Sequence, residues 1–204
     1  MKLYYKPGAC SLSPHIVLRE AGLPFELVKV DLVAKTLPDG SDFRAVSPKG
    51  QVPALALDEG GVLTEGAAIV QYIADKAPDS GLIPPAGTME RYRVQELLSF
   101  IGSELHKGFV PLFPMLKDVV SETYKGFAAK VLGAKLALLN QELEGKAYLT
   151  GDSFTVADAY AYRVLSWAPR IGFDLSPWPN LVAFAERVAA RPAVQAALAA
   201  EAQG

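Results

Sequence analysis

At residues 78–88 the chain reads PDSGLIPPAGT, and this stretch separates two different patterns. Before it, short alternating or aromatic-rich runs are interleaved with two helical segments. After it, the apolar residues recur at helical spacing throughout. A chain that switches in this way is predicted to build a small α/β unit with a mixed sheet, then an all-helical unit. The boundaries expected from the pattern are 1–78, a linker at 79–87, and 88–204.

In the first part, KLYYK (2–6) reads as a strand and SPHIVLREAGL as a helix. Ser13 is its expected cap, Pro14 fits the first helical position and Gly22 stops it. FELVKVDL (25–32) alternates as a second strand. VPALAL (52–57) and VLTE (62–65) are two more, with DEGG between them as a hairpin turn. GAAIVQYIADKAP is a helix ended by Pro78.

In the second part, MERYRVQELLSFIGSELHKGF places apolar residues at 94, 97, 98, 101 and 105, and Pro111 and Pro114 break the helical pattern beyond it. SETYKGFAAKVLGAKLALLNQELEG has Ser121 as a cap, and FTVADAYAYRVLSWAP ends at Pro169. PNLVAFAERVAAR and PAVQAALAAEA complete the helices. There is no internal repeat.

Composition narrows the function classes. The net charge is −2 and no Lys/Arg cluster occurs, so a polyanion such as nucleic acid is not an expected partner. One cysteine cannot form an intrachain disulfide, and a lone thiol fits a reducing compartment. Pro7 and Gly8 interrupt any signal-like apolar run, and no apolar stretch approaches the ~20 residues of a membrane span. A cytoplasmic protein without a membrane partner is expected.

The single cysteine, Cys10, follows the first strand and precedes the first helix. Free amides and the positive helix end favour a thiolate there. Lowering a thiol pKa from about 8.5 by two units takes ~2.7 kcal/mol, whereas a helix end supplies ~0.3–1 kcal/mol. A hydrogen bond or positive neighbour must supply the remainder. Cys10-Ser11-Leu12-Ser13 has the spacing of a thioredoxin-type redox motif with serine in its second place, so a disulfide made at Cys10 needs an external thiol to resolve it. The bland alternative is a buried cysteine acting as a small hydrophobe.

Two further stretches bear on the choice. In SPKGQVPAL, a cis Val52–Pro53 bond would present the Val52 backbone to an extended peptide; a trans bond at an edge strand is the alternative. In LTEGAAIVQYIAD, the helix opening at Gly66 offers amides to a carboxylate, and Glu65 suits an ammonium; a capping arrangement without ligand is the alternative.

Taken in order, MKLYYKPGACSLSPHI, SPKGQVPAL, LTEGAAIVQYIAD, ERYR…SELHKGF and FTVADAY closely resemble the cytosolic glutathione transferases, and among them the bacterial beta class. The resemblance spans nearly the whole chain. It implies an α/β thioredoxin-like N-terminal domain that binds glutathione, an all-α C-terminal domain with an acceptor pocket, a homodimer, and no metal. It implies that Cys10 lies beside the glutathione sulfur and can form a mixed disulfide with it, with Ser11 as a possible helper. Val52, followed by Pro53, supplies the backbone pairing, and Glu65 and Gly66 hold the γ-glutamyl end. Lys35 and His106 complete the site. Ser99 stands where the family often carries asparagine reaching toward the neighbouring subunit's ligand, and Gly66 where many members carry serine.

On the long helix, Ser99, Ser103 and His106 fall on one face at ~100° per residue, polar among neighbours expected to be buried. With the resemblance, Ser103 joins the binding set and His106 becomes the partner for a sulfur. His15 is expected to be structural or exposed. Thr155 and Asp158 form a capping box with no catalytic role. Tyr5, Phe109, Phe113 and Trp167 are candidates for an acceptor pocket, against the plainer reading that they are core.

Two functions fit these features. In the first, glutathione thiolate attacks a hydrophobic electrophile in a detoxification reaction, with glutaredoxin-like reductase activity through Cys10 as a possible addition. In the second, the same fold is a non-catalytic carrier of glutathione or hydrophobic ligands.

Overall fold

The structure, a computed structural model, describes every residue except Gly204. The strands are β1 (Lys2–Tyr5), β2 (Glu26–Lys29), β3 (Ala54–Ala56) and β4 (Val62–Thr64). The helices are α1 (Leu12–Glu20), α2 (Gly66–Asp75), α3 (Met89–Phe100), α4 (Lys107–Phe109), α5 (Glu122–Glu142), α6 (Val156–Leu165), α7 (Pro179–Ala189) and α8 (Pro192–Gln203). They divide into two compact units. One is Met1–Ile83 with the chain from Ala190 onward, and the other is Pro84–Ala189.

The first unit carries a four-stranded mixed sheet in the order β2-β1-β3-β4. β1 pairs parallel to β2 and antiparallel to β3, so Leu3 stands between Leu27 and Leu55. Its central place explains its composition: Leu3, Tyr4 and Tyr5 are all buried. Tyr4 and Ala54 share one sheet face with a cluster of Val30, Phe43 and Val52. Leu3 and Leu55 point to the opposite face and are fully buried, as are Leu12 and Ile16 of α1 and Ile69 and Ile73 of α2. The expected DEGG turn closes β3 onto β4, with Gly60 and Gly61 at φ 93° and 83°, values that favour glycine.

α8 packs on α1, which differs from the expected assignment of residues 88–204 to one helical body. The reason is a pair of long-range contacts. His15, fully buried, meets Glu201 through Nδ1 at 3.1 Å, and Arg191 pairs with Glu20 at 2.7 and 2.9 Å. Arg19 Nε donates to His15 Nε2 at 2.9 Å. His15 is therefore structural and not exposed.

α1 also begins earlier than expected. Ser11, not Ser13, is at its N-cap, and neither serine caps by its side chain; the Ser13 hydroxyl donates to the Cys10 carbonyl at 2.9 Å. Pro14 is still within the first turn, where its missing N–H costs nothing. Gly22, at φ 64°, follows the last turn as expected.

In the second unit, α6 is buried at every position, with Ala157, Ala159 and Ala161 allowing neighbouring helices to approach. The capping box forms: Asp158 accepts from Thr155 N at 2.7 Å, from Thr155 Oγ1 at 2.9 Å and from Leu149 N at 2.8 Å. Ser121 caps α5, accepting from Tyr124 N at 3.2 Å. The helix expected from 89 to 109 is interrupted by a π-helical segment, Ile101–His106, between α3 and α4. Its i→i+5 bonding inserts a residue into the turn and shifts the stripe that uniform 3.6 periodicity assumes. No helix is long and apolar enough to cross a membrane among the described residues.

Candidate functional site

The loop between β1 and α1 is held by its own hydroxyl. Ser11, fully buried, accepts from Lys6 N at 3.2 Å and reaches the Lys6 carbonyl at 3.3 Å. This differs from the expectation that Ser11 assists a sulfur: its hydroxyl is engaged in closing the loop. Cys10 is thereby fixed in a half-buried position, where its thiol donates to the Val52 carbonyl at 3.4 Å. The Val52–Pro53 bond is cis, and both residues are buried.

Pro53 in turn abuts the start of α2. A Cβ built on Gly66 would lie 3.7 Å from Pro53 Cγ, an ordinary contact, so the position admits a serine side chain. Glu65, the N-cap of α2, has φ 70° and ψ 115°, a conformation rarely adopted by a residue with a Cβ. Its side chain makes no cap to the helix, so the first amides of α2 remain for another acceptor. The Glu65 carboxylate instead pairs with Lys49 Nζ at 2.5 Å, and the same ammonium donates to Thr64 Oγ1 at 3.0 Å. Lys35, at φ 61°, donates from Nζ to the Gly50 carbonyl at 2.9 Å.

The first unit thus brings Cys10, Val52, Pro53, Glu65 and Gly66 into one connected array, and the Lys35 ammonium reaches the Gly50 carbonyl of the turn that precedes Val52. Lys49 belongs to that array and was not singled out from the sequence. The signal for it was its place inside the SPKGQVPAL stretch itself.

In the second unit, His106 Nδ1 lies 2.8 Å from the Tyr160 hydroxyl, and its ring sits 4.8 Å from Trp167. Burial, then the charges of Lys107 and Arg163, lower its pKa to about 4. The imidazole is therefore neutral at neutral pH, which leaves it as an uncharged hydrogen-bonding group and not a cation. Phe109 and Phe113 stand edge-on to Trp167 at 6.2 and 5.3 Å, and Phe173 joins through Phe109 at 5.9 Å. Tyr160 and Phe173 are the members that sequence reasoning missed. Phe109 and Trp167 are almost fully buried, so for these two the core reading is the stronger; Phe113 is half-buried.

Three expected members stand apart from these groups. Ser99 and Ser103 are exposed beside the buried Leu98, Ile101 and Leu105, and Ser103 Oγ donates to Glu104 Oε1 at 3.2 Å. The π-helical segment lies between Ser99 and Lys107, so the uniform spacing from which the stripe is drawn does not apply across it. Tyr5 belongs to the first unit, buried against His15 with ring centroids 6.4 Å apart, and the aromatic group around Trp167 does not include it.

Comparison with known proteins identifies the family and the fold. Residues 8–76 match the family model for the glutathione S-transferase N-terminal domain, and residues 100–192 that for the glutathione S-transferase C-terminal domain. The chain is 50% identical over 201 residues to glutathione S-transferase GstA of Escherichia coli O157:H7, covering 98% of each chain. A sphingomonad glutathione S-transferase solved in complex with glutathione superposes with a TM-score of 0.94 at 50% identity, covering 100% of each chain. A bacterial beta class transferase from Sphingomonas chungbukensis gives 0.92 at 50% identity, covering 98% of each. With two family models matched in order and the fold reproduced from end to end, the chain belongs to the glutathione S-transferase family, on its bacterial beta class side.

Proposed function

We propose that this transferase holds glutathione extended along the cis Val52–Pro53 edge, its γ-glutamyl end at Glu65 and Gly66 and its sulfur beside Cys10. The observation that carries the reading is the array itself: a thiol 3.4 Å from the Val52 carbonyl, and Pro53 against the opening turn of α2. The Val52 backbone suits an added strand, and the uncapped α2 amides suit a carboxylate. Glutathione carries both, with an ammonium for Glu65. The chemistry is attack of the bound thiolate on a hydrophobic electrophile: a C–S bond forms, the leaving group departs with its electron pair, and the thiol proton passes to solvent. Phe113 is proposed for the acceptor side, backed by the buried rings of Trp167 and Phe109, and His106 as a neutral group near a sulfur. Lys35, Ser99 and Ser103 are proposed as further glutathione contacts, Ser99 across a homodimer.

Cys10 adds a thiol-disulfide reaction. Its thiolate attacks the glutathione sulfur of a glutathionylated disulfide, forms the mixed disulfide and releases the other partner as a thiolate; a second glutathione thiolate then resolves it, giving glutathione disulfide and the free Cys10 thiolate. A lone thiol of this kind fits a reducing cytoplasm.

The test is direct. Purified protein is expected to be retained on immobilised glutathione and to conjugate a chlorinated nitrobenzene. Intact mass before and after reductant is expected to differ by one glutathione when the protein has been exposed to glutathione disulfide. Retention without turnover across several electrophiles would favour a carrier; neither retention nor turnover ends the reading. Sedimentation at micromolar concentration checks the dimer.

A further inference from the structure

Lys49 is presented by a turn that is anchored on several sides. Gly50 N donates to the Ser47 carbonyl at 2.8 Å, Ser47 is fully buried, and Lys35 Nζ holds the Gly50 carbonyl at 2.9 Å. From that turn the Lys49 ammonium bridges Thr64 Oγ1 at 3.0 Å and Glu65 Oε1 at 2.5 Å. It thereby ties the end of β4 to the one residue of the α2 cap whose backbone is in the left-handed region, Glu65 at φ 70°.

The pairing answers an electrostatic difficulty. A carboxylate standing beside open helix amides repels the very anion those amides would bind. Glu65 avoids competing for the amides, since its side chain makes no cap to α2. Lys49 takes Oε1 and offsets the charge, while Glu65 Oε2 has no hydrogen-bond partner among the described residues. One oxygen is pinned, the other is left for a donor, and the neighbouring amides remain open to a carboxylate.

We propose that Lys49 is a positioning residue that orients and half-neutralises Glu65, so that the α2 cap selects an end group carrying ammonium and carboxylate on the same carbon. This rests on the reading of Glu65 and Gly66 as the γ-glutamyl site. Lys49 acts through Glu65 and does not itself touch the ligand. Its effect therefore depends on the ligand's α-ammonium: remove that group, and Lys49 no longer matters.

The experiment measures, by calorimetry, the affinity of the wild-type protein, Lys49→Met and Lys49→Arg for glutathione and for glutarylcysteinylglycine, which lacks only the α-ammonium. The wild type is expected to prefer glutathione by about tenfold or more, the range of a charge-assisted hydrogen bond. Lys49→Met is expected to weaken glutathione about threefold to fivefold, the upper range for an exposed ion pair, and to change the analogue less than about twofold. Lys49→Arg retains most of the preference. In steady-state conjugation, Lys49→Met raises KM for glutathione and leaves kcat unchanged. If Lys49→Met keeps the wild-type preference, or loses affinity for both ligands equally, the assignment of Lys49 is overturned while the glutathione reading stands. If the wild type binds neither ligand, the reading itself fails and this inference with it.

Discussion

His106 Nδ1 and the Tyr160 hydroxyl are 2.8 Å apart, and the imidazole they orient lies against Trp167 within a mostly apolar group of rings. Burial is the largest cause of its lowered pKa, about 4 against an ordinary 6.5. The fold thus favours the neutral ring. Because the folded pKa is depressed, the associated stability is complete above pH 6.5 and is lost as the pH falls toward 4, by up to about 3 kcal/mol. NMR titration of the His106 ring is expected to give a midpoint well below 6. Asp158 acts in the opposite direction over this window, so the loss is read as a difference: in urea unfolding the stability of the wild type relative to His106→Asn is expected to fall between pH 6.5 and 4. A midpoint near 6.5 would mean that the ring is solvated.

Glu65 and Cys10 occupy different parts of the same array, and the chemistry separates them. Glu65→Ala removes the acceptor for a charged end group and is expected to weaken glutathione by about tenfold to a hundredfold. Cys10→Ala removes a thiol that donates to the Val52 carbonyl, and is expected to weaken binding by less than about threefold. It abolishes the mass gain from glutathione disulfide outright. Equal losses of affinity in the two variants would place the anchor elsewhere.

Asp158 links α6 to the backbone at Leu149 and Thr155, and both are buried. Asp158→Ala strands these donors and is expected to cost about 2–4 kcal/mol in urea unfolding, without changing KM for glutathione in protein that remains folded. Burial outweighs the three hydrogen bonds and raises the Asp158 pKa to about 6 from 3.8. Since the folded value lies above the unfolded one, the protonation-linked stability is complete below pH 3.8 and is lost as the pH rises through 6. Asp158→Asn does not titrate, so its cost relative to wild type is expected to be larger at pH 4 than at pH 7.

The elements legible in the sequence were those with local signals. β1 through β4 announced themselves by alternation and turn residues, α1 by its stop at Gly22, α5 by Ser121, and α6 by the Thr155–Asp158 box. The array around Val52 and Glu65 was readable because its parts are short segments whose chemistry is local. The features that escaped depend on packing or on partners distant in the sequence. The π-helical turn at Ile101–His106 depends on packing, and nothing in its composition marks it. Ser13 looked like a cap, yet the helix starts at Leu12 and leaves that hydroxyl to the Cys10 carbonyl. Lys49 stands inside the legible SPKGQVPAL stretch, but its role depends on a partner 16 positions away. The placement of α8 depends on a contact between residues 186 apart.

That contact yields a final prediction. Arg19 Nε donates to His15 Nε2, so Nε2 is the bare nitrogen and Nδ1 carries the proton that faces Glu201. The tautomer is thus set by a cation on one side and a carboxylate on the other, with the ring also against Tyr5 and Phe25. Glu201 is almost fully buried and its charge, after desolvation, helps to raise the pKa of Tyr5. Replacing Glu201 by Ala leaves the His15 N–H facing an apolar gap, at a cost of about 1–3 kcal/mol. Glu201→Gln keeps an acceptor and is expected to cost less. Because α8 closes over α1, hydrogen exchange of the α1 amides should rise in Glu201→Ala, while that of α6 is expected to stay at the wild-type level. Uniform acceleration across α1 and α6 would show that the contact supports the whole chain and not the first unit alone.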